Sequence, residues 1–195
     1  MRFAEDIDVD TPIDCGTASF TTEEIVEFAR RYDPQPFHLS EEGGAASLLF
    51  GRLTASGLQT AAEARHAVLL TVMRDVHFLG SPGARRFQMH KPVYPDMALR
   101  FTHTVTDIRP LEHFEGVALV RSATRALTPD GTLVMTVDGL DWIGSRRLSP
   151  EPDSALLRSL RSSDGASEGL EPLRQAIRVE RPASALNERD KLYLE

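Results

Sequence analysis

Six consecutive residues concentrate the reactive chemistry of this chain: Asp33-Pro34-Gln35-Pro36-Phe37-His38. A carboxylate and an imidazole can work on one small reactant, one partner accepting a proton while the other orients the reactant or returns the proton. Pro34 and Pro36 have fixed φ and push Asp33 and Gln35 toward extended backbone, so the segment is stiff. Stiffness suits a pair that must be held for a reactant. Extended geometry does not, because five residues of polyproline backbone span roughly 15 Å, too far for both side chains to share a water. A working pair therefore requires a bend inside the segment. The competing reading is structural: Asp33 satisfies backbone N–H groups of the turn, and His38 caps the next helix or bonds a carbonyl.

The elements around the segment follow from caps and periodicity. Thr21 and Glu24 fit a capping box, and Ile25, Val26, Phe28 and Ala29 give the following helix an apolar side. Pro34 stops that helix near Tyr32. Ser40 caps a second short helix over EEGGAASLLF, weakened by Gly43 and Gly44. From Gly57 to Asp75 no proline interrupts, and Leu58, Ala61, Ala62, Val68, Leu69, Val72 and Met73 predict a helix buried on most sides. His66 on that helix reads as a core or interface residue. After Gly83 the pattern alternates. Leu99, Phe101, His103 and Val105 share one face, Val117, Leu119 and Ala123 another, and Leu133, Met135 and Val137 a third. Arg109-Pro110 and Thr128-Pro129-Asp130-Gly131 mark turns, the second a strong hairpin signal. The prediction is an α+β domain: helices first, then at least four antiparallel strands drawn from 86–144, wrapped on the long helix.

Composition removes several function classes. The chain has 195 residues, 41% hydrophobic and 26% charged, normal for a globular protein. Its formal charge of −7, from 22 basic and 29 acidic residues, argues against nucleic-acid binding. The single cysteine, Cys15, allows neither an intrachain disulfide nor a cysteine-based zinc cluster, and reads as an inert small residue. The six histidines lack ligand spacing, so no metal is expected. Neither phosphate-cradling glycine motif is present, nor H-E-x-x-H, nor a G-x-S-x-G elbow around Ser56. The acidic opening MRFAEDIDVD does not read as a signal peptide, and no apolar run approaches a membrane span, so a cytoplasmic location is expected. The whole excess negative charge falls in 1–144. Residues 145–195 carry nine basic and nine acidic residues with Ser-, Arg- and Pro-rich stretches, and read as an extension with one or two weak helices.

The segment at 33–38, followed by H-L-S-E-E and by G-R-L-T-A-S-G at 51–57, resembles the MaoC-like dehydratase family of (R)-specific enoyl-CoA hydratases. Asp33, Pro36 and His38 match the family pattern Asp-x-Asn-Pro-x-His, with Gln35 in place of the asparagine. L-G-S-P-G at 79–83 and K-P-V-Y-P-D at 91–96 extend the similarity, which covers about residues 18–145. The resemblance implies a single hot-dog fold over 1–144, a long central helix wrapped by an antiparallel sheet, and a homodimer. It implies that Asp33 and His38 activate a water that adds to C3 of a trans-2-enoyl thioester, or remove it from an (R)-3-hydroxyacyl thioester. The substrate would be acyl-CoA or a carrier-bound acyl group, with no cofactor. Gly57 matches the glycine whose backbone N–H faces the thioester oxygen. Ser56 stands where many members have histidine and reads as a helix cap. Arg85 and Arg86, which under this resemblance could meet CoA phosphates, read rather as a solvated charged face, and Arg146-Arg147 as a strand-end flank. The alternatives are a non-catalytic hot-dog subunit that binds acyl chains or supports a partner, and, less favoured, a hot-dog thioesterase.

Overall fold

The capping box forms as predicted: Thr21 Oγ1 accepts from the Glu24 N–H and Glu24 Oε2 accepts from the Thr21 N–H. It opens helix α1, Thr22–Tyr32, and Asp33 is the residue that ends it. This computed structural model describes residues 1–111 and 116–146. All but the first two residues of the extension expected over 145–195, with its one or two weak helices and Arg147, therefore lie outside the described residues. Strand β1, Ile13–Ala18, precedes α1. The short helices α2, Pro36–Leu39, and α3, Glu41–Ala45, come next, then the long helix α4, Gly57–Thr71. Four strands complete the fold: β2 Phe78–Met89, β3 Leu99–Pro110, β4 Val117–Leu127 and β5 Leu133–Gly144.

All five strands form one antiparallel sheet in the order β1-β3-β4-β5-β2. Helix α4 lies against β1, β3, β4 and β5. Its Ala64 and Val68 belong to one buried cluster with Leu99, Phe101, Val105, Val120 and Val134. Each large apolar side chain so removed from water contributes about 1.5–3 kcal/mol. This is the hot-dog arrangement, α+β with the long helix wrapped by the sheet.

Several expectations need correction. The strands do not all follow the helices: β1 comes first, and β2 begins at Phe78 rather than 86. Gly80 and Gly83 interrupt the alternation of β2, whose register shifts at three places. Pro82 is tolerated because β2 is an edge strand. Arg109-Pro110 is not a turn, since β3 runs through it, Pro110 pairing with Ala118. The missing proline N–H costs nothing there, because β1 pairs with β3 only over Leu99–His103. Helix α4 stops at Thr71, four residues before Asp75. Beyond Thr71 the chain passes through turns over 72–75, after which the Arg2 N–H donates to the Asp75 carbonyl and the His77 N–H to the Arg2 carbonyl, tying this segment to the N-terminus. Within this chain α4 is not buried on most sides. Leu58 and Leu70 are exposed, whereas Gln59 and Thr60 are buried. His66, expected in the core or at an interface, is exposed within this chain and so is not a core residue. His103, in contrast, is fully buried and bonds Thr124.

The hairpin at Thr128–Gly131 forms, with Gly131 at φ +84°. Cys15 is buried and free. Two glycines serve close approach. A Cβ on Gly43 would land on the Pro36 carbonyl, and one on Gly44 would land on the Arg52–Leu53 peptide.

Candidate active site

The bend required of the 33–38 segment is a single helical turn. Pro36 occupies the first position of α2, where its missing N–H is harmless and its fixed φ already suits a helix. The Gln35 carbonyl accepts from the His38 N–H, bringing His38 back toward the end of α1. The result is contact: His38 Nε2 lies 3.5 Å from Asp33 Oδ2. His38 is buried and the Asp33 side chain is about one-quarter exposed.

Backbone partners set the state of the imidazole. His38 Nδ1 lies 2.6 Å from the Thr54 carbonyl oxygen. A carbonyl only accepts, so Nδ1 carries a proton, and in the neutral ring Nε2 is an acceptor. Two acceptors, Nε2 and the carboxylate, then face each other across 3.5 Å, a place where a water can donate to both. The Thr54 carbonyl is itself held. The Thr54 N–H donates to the Phe37 carbonyl, and both Thr54 Oγ1 and the Ala55 N–H donate to the Val93 carbonyl. Phe37 and Phe50 stand beside the imidazole, with ring centroids 4.5 and 6.5 Å away.

Ser56 does more than cap. It is fully buried, and its Oγ accepts from the Leu58 N–H at 3.2 Å while donating to Asp33 Oδ2 at 2.7 Å. One hydroxyl thus ties the start of α4 to the carboxylate that ends α1. Sequence reasoning missed this link; a serine before a helix signals capping but says nothing of an aspartate 23 positions away. It also missed Thr54, whose contribution is a carbonyl that no side-chain pattern reveals. Ser56→Ala removes a cap and a carboxylate's donor together. It should lower the unfolding free energy by about 1–2 kcal/mol, read by urea titration.

Gly57 is the first residue of α4, and its N–H has no acceptor among the described residues. Free N–H groups at a helix start attract negative charge. A Cβ there would lie 3.1 Å from Met89 Cγ and 3.4 Å from Phe87 Cζ, so close packing also favours glycine. The structure thus brings Asp33, His38, Ser56 and Gly57 to the junction of α1, α2 and α4. Arg85, Arg86 and Arg146 lie elsewhere, and Arg146 pairs with Asp6.

The model of the MaoC like domain matches residues 6–125. This chain belongs to the MaoC-like family. Among solved structures, a MaoC-like dehydratase from Rhodospirillum rubrum is 29% identical, with 75% of this chain and 99% of that one covered and a TM-score of 0.65. The (3R)-hydroxyacyl-ACP dehydratase complex of Mycobacterium tuberculosis, C-terminally truncated, is 25% identical over 70% of this chain and 98% of that one, with a TM-score of 0.58. An (R)-hydratase from Pseudomonas aeruginosa, 23% identical over 73% and 84% at a TM-score of 0.55, shares the fold. No curated protein sequence matches. No helix among the described residues is long and apolar enough to cross a membrane.

Proposed function

We propose that this MaoC-like protein is a hydratase/dehydratase that interconverts trans-2-enoyl and (R)-3-hydroxyacyl thioesters, with coenzyme A as the acyl carrier, in the cytoplasm. The observation that carries the reading is the pair of facing acceptors, Asp33 Oδ2 and His38 Nε2, with the imidazole proton committed to Thr54. A water between them donates one hydrogen to each and presents its oxygen lone pair to C3. In hydration one O–H bond of the water breaks, its oxygen bonds C3, and its proton passes to the pair. The C2=C3 electrons move onto C2 and the thioester oxygen as an enolate, and a proton then returns to C2. Dehydration reverses each step. In this reading the Gly57 N–H, at the positive end of α4, stabilises the enolate oxygen. Ser56 acts as a positioning residue for Asp33. No cofactor enters this chemistry.

The assay follows loss of the enoyl thioester absorbance with crotonyl-CoA and longer enoyl-CoAs, with chiral analysis of the product. Formation of (R)-3-hydroxyacyl-CoA supports the reading. Thiol release without hydration would point to a thioesterase. No change with any enoyl thioester, CoA-linked or carrier-linked, would make the acyl-binding subunit the better reading.

The protein is further proposed to act as a homodimer. The outer edge of β2 has no strand partner among the described residues, and Leu58, Leu79 and Phe87 on or near it are exposed. An open edge with apolar side chains is a surface that natural sheets cover. Light scattering should return about twice the 21.6 kDa chain mass, and a monomer with full turnover would refute the pairing.

A further inference from the structure

A groove of about 470 Å³ runs between α1 and α4, and none of Asp33, His38, Ser56 and Gly57 lines it. Phe28 and Tyr32 give it aromatic surface from α1, their ring centroids 4.9 Å apart, and Ala62 gives it apolar surface from α4. Three carboxylates, Glu24, Glu27 and Glu63, share the lining. Arg31 lies over the Tyr32 ring, 5.1 Å from its centroid, and is within salt-bridge distance of none of the three. Glu24 Oε2 is committed to the Thr21 N–H, and Glu63 Oε1 lies 3.7 Å from His66 Nδ1. Glu27 has neither an ion-pair nor a hydrogen-bond partner among the described residues.

Gln59 separates this groove from an ordinary acidic patch. It lines the groove yet is only 7% exposed. Its Nε2 donates to the Glu24 carbonyl at 3.4 Å, and because a carbonyl only accepts, the other end of the amide is the oxygen. That oxygen, Oε1, is buried with no hydrogen-bond partner among the described residues. A buried acceptor left unpaired bears the full cost of its lost hydration. Amide and carboxylate oxygens can only accept, so the groups left open here, Gln59 Oε1 and Glu27, both await a donor.

We propose that this groove binds an aliphatic ammonium ion, its head held by Gln59 Oε1 and the glutamates, Glu27 above all, and its carbon chain lying on Phe28, Tyr32 and Ala62. An ammonium has three donors, enough for the amide oxygen and carboxylates together. Its charge complements the acidic lining, and donation to a carboxylate is among the stronger hydrogen bonds. Aromatic faces attract cations, and the seat of Arg31 on Tyr32 shows one such contact already made in this groove. The volume lies in the range of small-molecule sites.

The test titrates the full chain with hexylammonium, hexanol and hexanoate by ligand-observed NMR at pH 7.5 and two salt concentrations. Binding is read without turnover, so the outcome stands apart from the hydratase assay. Hexylammonium should bind about tenfold tighter than either of the others, and less tightly at high salt. Glu27→Gln, at an exposed position, should lose about fivefold or more of that affinity. Gln59→Leu keeps an apolar chain of similar length and removes the acceptor; with an unchanged circular dichroism spectrum it should lose about as much for hexylammonium and nothing for hexanol. Equal affinity for the three ligands would overturn the proposal and leave Gln59 Oε1 to water. A preference for the ammonium that persists undiminished in Glu27→Gln, or in folded Gln59→Leu, would overturn it too, since the cation would then sit elsewhere.

Discussion

Asp33→Asn should lower kcat for enoyl thioester hydration by roughly 10²-fold or more, the scale of a positioned acid–base group. The amide keeps the shape and can still accept from Ser56, so what is lost is the base. His38→Gln should cost as much. Glutamine is the better replacement than alanine because the Thr54 carbonyl is buried with the imidazole and would lose its side-chain donor; a stranded buried acceptor costs about 1–3 kcal/mol. If the two side chains act on one water they act as a unit. The double variant should then be little worse than the poorer single one, rather than slower by the product of both losses. Circular dichroism of each variant separates lost chemistry from lost fold. Folded single variants with near-parental kcat would end the assignment of chemistry to this turn.

Acid should weaken the fold before it protonates most carboxylates, and His103 is the reason. Its ring is fully buried on β3, with Nδ1 2.9 Å from Thr124 Oγ1 and Nε2 without a partner among the described residues. Burial, and secondarily the charge of Arg65, push its pKa down from 6.5 to about 4. The unfolded chain therefore takes up this proton first as pH falls. Above pH 6.5 both states are neutral and the residue has no effect on the slope. Between 6.5 and about 4 the unfolded state binds more protons, so stability falls with pH; below about 4 the loss is complete. The shift corresponds to about 3 kcal/mol. Urea titrations at pH 7.5 and 4.5 should show most of that drop in the parent, and His103→Gln should reduce it. Equal drops in both proteins would show that other groups set the acid limit. Asp6, Asp14 and Asp130, whose hydrogen bonds hold their carboxyls below the usual range, act at lower pH.

What could be read from the chain alone was local. The capping box at Thr21 and Glu24, the stop before Pro34, the start of α4 at Gly57 and the Thr128–Gly131 turn depend on residues a few positions apart, and all four stand. The Asp33–His38 pair was legible as residue types, and its need for a bend was legible too. That the bend is a helical turn started by Pro36 was not, because a proline after an extended residue opens a helix as readily as it continues an extended run. The errors came from long-range contacts. Helix α4 carries no stop signal before Asp75 yet ends at Thr71, and the stretch Asp75–His77 is tied instead to the backbone of Arg2, over seventy positions away. Apolar periodicity marked Leu58 and Ala62 as buried, yet their exposure depends on which side of α4 the sheet covers. The glycines of β2 hid a twelve-residue strand whose alternation they break.

The two glycines of α3 bear on how such a protein can diversify. Gly43 rests on the peptide that opens the histidine turn, and Gly44 on the chain just before Thr54, which orients that histidine. Any larger residue at either position would wedge apart the two pieces of backbone that aim the imidazole, although neither glycine comes near the reacting atoms. This corner of the molecule is therefore closed to tinkering. Variation is freer at the exposed Leu48 and Leu49 beside Phe50, where change leaves the aim of His38 untouched.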